Sequence, residues 1–130
     1  MDAIQYLENG EIRIAEDVIS TIAGLAAIEV KGVAGMSGGL VGGIADILGK
    51  KSLSKGVKVV INDKGGFVDL YLIVEYGTKI PDVAWEIQDK VKRSIETMTN
   101  LKVIEVNIHI QGVHFPKEAV EEEGKTQSSK

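Results

Sequence analysis

Two histidines, His109 and His114, are the residues best suited to move a proton or hold a metal near neutral pH. His109 alternates with Glu105, Asn107 and Gln111, so on a strand all four share one face. A histidine beside amides and a carboxylate could serve as a ligand or a general base. A solvated sheet face or an interface requires the same alternation, and the rest of the sequence favours that reading. No acidic residues stand at metal-ligand spacing around either histidine. Cysteine is absent, which removes disulfides, thiolate metal sites and cysteine nucleophiles together. No nucleophile elbow or P-loop occurs. The sequence therefore predicts no catalytic residue, no cofactor and no metal, and a chain that is not an enzyme.

Three other features could make contacts. Gly32-Val33-Ala34-Gly35 and Gly39-Leu40-Val41-Gly42 each fit the Gly-x-x-Gly of an RNA-binding KH loop. Such matches are cheap in glycine-rich sequence, basic density begins only at Lys50, Lys51 and Lys55, and the net charge of −4 opposes nucleic acid. Tight turns explain the glycines more simply, so RNA binding is the runner-up. Within 37–56, Leu40, Ile44, Ile47 and Leu48 fall at helical spacing but are interrupted by glycine. They are too apolar for a linker, which should be polar. This segment is expected to be mobile alone and to order on a partner, with those four residues as partner-binding candidates. Docking on the domain's own core or on a twin subunit is the competing outcome. Trp85 sits about a quarter turn from the apolar stripe of its helix, beside Gln88, Asp89 and Lys92. It is a candidate interface anchor, or a cover for the edge of the core. His109 is the remaining candidate for partner binding.

These residues must be held by a small core. The 130 residues fit one domain, 44% of them are apolar and only 5% aromatic, so Val, Ile, Leu and Ala must fill it. The chain begins without a basic, apolar leader and contains no run of ~20 apolar residues. A bacterial cytoplasmic protein is the default expectation.

Alternation predicts a strand over 10–14 and a helix over 15–28, with Val18, Ile22 and Leu25 or Ala26 inward and Ile19, Ala23 and Ala27 widening the stripe. A short strand is expected within 29–36. A hairpin follows, with arms 57–61 and 67–76 joined at Asn62-Asp63-Lys64-Gly65-Gly66. On its second arm Val68, Leu70, Leu72 and Val74 should face inward, and Phe67, Asp69, Tyr71, Ile73 and Glu75 should be partly exposed. Pro81 opens a second helix with Val83, Ile87, Val91, Ile95 and Met98 inward, and Asn100 should end it. A last strand over 102–113 should turn Ile104, Val106, Ile108 and Ile110 inward. The expected fold is α+β: a mixed or antiparallel sheet of about five strands with two helices on one face, in the order β-α-β-loop-β-β-α-β. Residues 1–116 form the domain and 117–130 a charged tail.

Several segments, in order, resemble the bacterial alkaline-shock (envelope stress response) family. They are Val33-Ala34-Gly35-Met36, Leu53-Ser54-Lys55-Gly56-Val57-Lys58-Val59 and Val68-Asp69-Leu70-Tyr71-Leu72-Ile73-Val74-Glu75-Tyr76-Gly77 with Ile80-Pro81. Val91-Lys92, Ile95-Glu96-Thr97-Met98-Thr99 and Val106-Asn107-Ile108-His109-Ile110-Gln111-Gly112-Val113 complete the set. The resemblance spans about residues 8 to 115. It implies a non-enzymatic binding or scaffold protein in envelope stress or lipid homeostasis, acting through protein partners, including a membrane-anchored one. The resemblance supplies no catalytic residues. A homo-oligomer is a further expectation, apart from the resemblance.

Overall fold

The computed structural model describes residues 2–37 and 54–115. Its elements run β1 (Ala3–Leu7), β2 (Gly10–Ile14), α1 (Glu16–Ile28), β3 (Val33–Met36), β4 (Val57–Asn62), β5 (Gly65–Glu75), α2 (Ile80–Thr99) and β6 (Val103–His114). β5 is central. One of its edges pairs antiparallel with β4 and then, farther along, with β3; the other pairs parallel with β6. The sheet is therefore mixed. The α+β class holds, with six strands among the described residues rather than about five: β1 was not anticipated, and with β2 it makes a separate antiparallel hairpin.

β5 forms because its residues alternate without a break. Val68, Leu70, Leu72 and Val74 are completely buried, whereas Phe67, Asp69, Tyr71, Ile73 and Glu75 are half-buried on the opposite face. The turn before it is two residues long, Asp63 and Lys64. The Lys64 N–H donates to Asn62 Oδ1 at 2.8 Å, a side-chain mimic of a backbone turn. Gly65 has φ 141°, and any Cβ there would collide with the Lys102 carbonyl oxygen, so glycine is required.

Both helices cover the inner face. α1 starts with Glu16 and Asp17 in its first turn, where negative charge suits the helix dipole. Its buried stripe is Ile19, Ser20, Ile22, Ala23, Gly24, Ala26 and Ala27. Val18, expected inside, is half-exposed, and of the alternatives Leu25 and Ala26 it is Ala26 that is buried. The stripe is rotated because the small residues Ser20, Ala23, Gly24 and Ala27 allow closer approach than the larger side chains would. In α2, Pro81 occupies the first turn and Val83, Ile87, Val91 and Ile95 are buried. Asn100 is left-handed at φ 61° and its N–H donates to Glu96 O, as a terminator should. Met98, expected inside, is 69% exposed and Thr99 is buried instead. Thr99 tolerates burial because its hydroxyl donates to Ile95 O at 2.6 Å and accepts from the Leu101 N–H at 3.1 Å.

β6 departs most from simple alternation. Gly66 lies opposite Val103, but Phe67 lies opposite Glu105. This irregularity places Val103 and Val106 inside and leaves Ile104, expected inside, 39% exposed. A second shift follows between Leu72 and Ile73, opposite Ile110 and Gly112. Between the two, Ile108 and Ile110 pack on the core as expected.

Candidate functional site

Two regions stand apart from the core. The first is the outer face of the sheet, over which no described helix packs. Parallel pairing sets Tyr71 opposite His109, and their rings stack with centroids 4.4 Å apart and planes 11° from parallel. His109 Nε2–H donates to Asp69 Oδ1 at 3.0 Å. Farther along, His114 Nδ1–H donates to Glu75 Oε1 at 2.9 Å, and Ser37 Oγ donates to Gln111 Oε1 at 2.6 Å. Val60 is exposed beside half-buried Phe67, its register partner. These polar pairs are solvent-accessible, and each contributes at most about 1 kcal/mol. Their effect is to fix ring orientation. Among the described residues, no three His, Asp or Glu side chains are placed to share a metal ion.

The second region is the side of α2 that reaches the margin of β6. Gln88 Nε2 donates to Val106 O at 2.9 Å. Lys92 Nζ donates to Val103 O at 2.9 Å and to Glu96 Oε2 at 3.0 Å. The Val103 N–H donates to the same Glu96 carboxylate at 2.9 Å. That backbone bond, followed by the Lys92 ammonium, holds the Glu96 carboxyl below the usual carboxylate range. Trp85, one turn before Gln88, is 65% exposed. The neighbouring surface of α2 has a shallow hollow of 460 Å³ lined by Lys90, Arg93, Ser94, Thr97 and Met98. Lys90 is paired with Glu29 at 2.9 Å and Arg93 with Asp89 at 2.7 Å, so its cations are already matched.

Of the residues singled out by sequence, His109 lies on the outer sheet face and Trp85 on the helical layer; the structure does not bring them into one cluster. Leu40, Ile44, Ile47 and Leu48 lie outside the described residues, as does Gly39-Leu40-Val41-Gly42. Gly32 of the other Gly-x-x-Gly has φ 106°, and a Cβ there would stand 2.8 Å from Val83 Cγ2. That glycine serves close packing of the β3 approach on α2 rather than a phosphate loop. The Gln88–Lys92–Glu96 brace was missed by sequence reasoning. Its only signal is the i, i+4, i+8 spacing, which alone does not distinguish it from a solvated helix face.

Residues 5–115 match the family described as alkaline shock protein 23, of cell envelope-related function. The uncharacterized protein YqhY of Bacillus subtilis is 43% identical over 112 residues, 86% of this chain and 83% of that relative. The uncharacterized protein YloU of the same organism is 41% identical over 106 residues, 80% and 88% of the two chains. A stress response regulator gls24 homolog of Streptococcus pyogenes is 33% identical over 102 residues, 78% of this chain and 57% of its own. No solved structure gives a significant match.

Proposed function

The chain belongs to the alkaline-shock family, whose association is with the cell envelope and stress response, and on that premise we propose that it is a non-enzymatic scaffold of envelope stress or lipid homeostasis. It works through protein contacts, in the cytoplasm and at the inner face of the membrane, where a membrane-anchored partner recruits it. No described helix is long and apolar enough to cross a membrane.

The observation carrying this reading is the outer sheet face. It combines apolar Val60 and Phe67 with the fixed Tyr71–His109 stack, and no described helix packs over it. Aromatic side chains held in place by hydrogen bonds give contact area at low entropic cost. A catalytic site would instead require a concave pocket with convergent polar groups, and the groups on this face spread along two strands.

The test uses the full chain in its native host, with membrane and soluble fractions separated. Lys58→Glu and Val60→Glu alter exposed β4 positions on this face, away from β6. Both should keep the wild-type melting temperature and move the protein from the membrane fraction to the soluble one. Unchanged partitioning of both variants, or a turnover abolished by His109→Ala, overturns the proposal.

A further inference from the structure

β6 pairs only with β5 among the described residues, so no described strand covers its other edge. The direction of each backbone group follows from β5. The Tyr71 N–H donates to Gly56 O, and Tyr71 O accepts from the Ser37 N–H, each at 2.8 Å. Tyr71 thus turns its backbone away from β6, and Leu70 and Leu72 turn theirs toward it. Leu70 lies opposite Ile108 and Leu72 opposite Ile110. In a parallel ladder the bonds of such a residue go to the neighbours of its partner, and the partner's own N–H and C=O face the other way. Ile108 and Ile110 therefore present their backbone groups at that other edge.

This stretch has two defined ends. At one, Gln88 occupies the Val106 carbonyl, while Lys92 and Glu96 occupy both backbone groups of Val103. At the other, the register shift between Ile110 and Gly112 makes Gln111 the extra residue of a bulge. The window between them runs from Asn107 to Gln111, with His109 at its centre. It contains no Lys, Arg, Asp, Glu or Pro, the residues that normally guard an exposed edge. The opposite margin of the sheet, β4, does carry an exposed Lys58.

We propose that this window is the interface of a symmetric dimer, in which β6 pairs antiparallel with β6 of a second copy about a two-fold axis at His109. The chemistry of the window is self-complementary about that axis. Ile108 meets Ile110 of the second copy, and each such pair exchanges two backbone hydrogen bonds. On the outer face Asn107 meets Gln111, amide against amide, and His109 meets itself in a non-hydrogen-bonded pair. No two like formal carboxylate or ammonium charges are opposed. Exposed Trp85 precedes Gln88 by three residues, where α2 runs toward this window. Stepping back one turn from Gln88 advances ~4.5 Å along α2, and stepping from Val106 to Ile108 advances ~6.6 Å along β6. The two-fold axis brings both copies of this exposed tryptophan beside the seam, where an aromatic anchor adds buried area to a short strand pairing. An extended peptide from another protein could use the same edge, but it would not require symmetry about His109.

The test is analytical ultracentrifugation of the full chain across a wide concentration range, with engineered variants. The wild type should dimerise, and its single tryptophan should shift to shorter emission wavelength as it does so. Asn107→Lys combined with Gln111→Lys sets ammonium groups opposite each other and should weaken the dimer roughly 100-fold. Asn107→Asp combined with Gln111→Lys should restore it. Because the chain has no cysteine, His109→Cys should form a disulfide-linked dimer on mild oxidation, since facing residues in such a pair stand within disulfide reach; Glu105→Cys should not. A wild type that stays monomeric at every concentration overturns the proposal. So does a dimer indifferent to the lysine pair, or one that links through Glu105→Cys and not through His109→Cys.

Discussion

β5 and β6 lie side by side with similar alternating sequences, yet they do different work. β5 is bonded along both edges, keeps one phase throughout, and buries each inward side chain completely. Among the described residues β6 is bonded along one edge, and it slips phase twice. Its inward side chains are graded from buried Val103 and Val106 to half-buried Ile108 and Ile110. Completeness of pairing decides which strand serves stability and which remains available for contact. The central strand has no unmet backbone group to offer. The marginal strand does, and the side chains of α2 cover only its first part.

The largest effect expected from this contrast is in β5. Leu72→Ala should cost ~2–5 kcal/mol, because the residue is fully enclosed and leaves a cavity. Chemical denaturation measures this, and a loss under about 0.5 kcal/mol would show that the face carrying Leu72 is not the core. In β6 the shifted phase makes a sharper demand. Val103→Ala should cost roughly 2 kcal/mol, whereas Ile104→Ser should stay within about 0.5 kcal/mol; equal costs would contradict the bulge. The brace is smaller again and depends on pH. Glu96 has a lowered folded-state pKa, so its contribution is full above the unfolded value near ~4.3 and fades as pH falls through the lower folded value. Glu96→Gln should therefore melt below wild type at neutral pH, with the two converging in acid. A constant gap would remove the charge from the explanation. Smallest of all, Trp85→Ala should change stability by less than about 0.5 kcal/mol while altering self-association.

Local patterning made most of this fold legible. β5 and the stripe of α2 from Val83 to Ile95 follow strict periods, and the turn at Asn62–Gly65 carries its own chemistry. Errors arose where a non-local contact decides. Val18 and Ile22 share a helical stripe on paper, but the approach of α1 to α2 over small residues rotates Val18 outward. Ile104 and Val106 look equivalent until the register with Gly66 and Phe67 is known. β1 contains Ala3-Ile4-Gln5-Tyr6-Leu7, with little alternation. Its Ala3 enters the core and its Gln5 side chain donates to Thr99 O, a residue far along the chain. For the site, His109 and Trp85 were legible as outward-facing residues on the correct elements. Their separation into different layers was not, nor was the covering of part of the β6 edge by Gln88, Lys92 and Glu96. These depend on where α2 crosses β6, which no local period encodes.

The claim that β5 is saturated and β6 is poised for contact is tested most directly by amide hydrogen exchange, residue by residue, at high and low protein concentration. Leu70 and Leu72 should exchange slowly at both. Ile108 and Ile110 should exchange slowly when concentrated and much faster when diluted, as their partner strand leaves. Protection of Ile108 and Ile110 that persists unchanged in the dilute monomer, or rapid exchange at high concentration, would contradict the account.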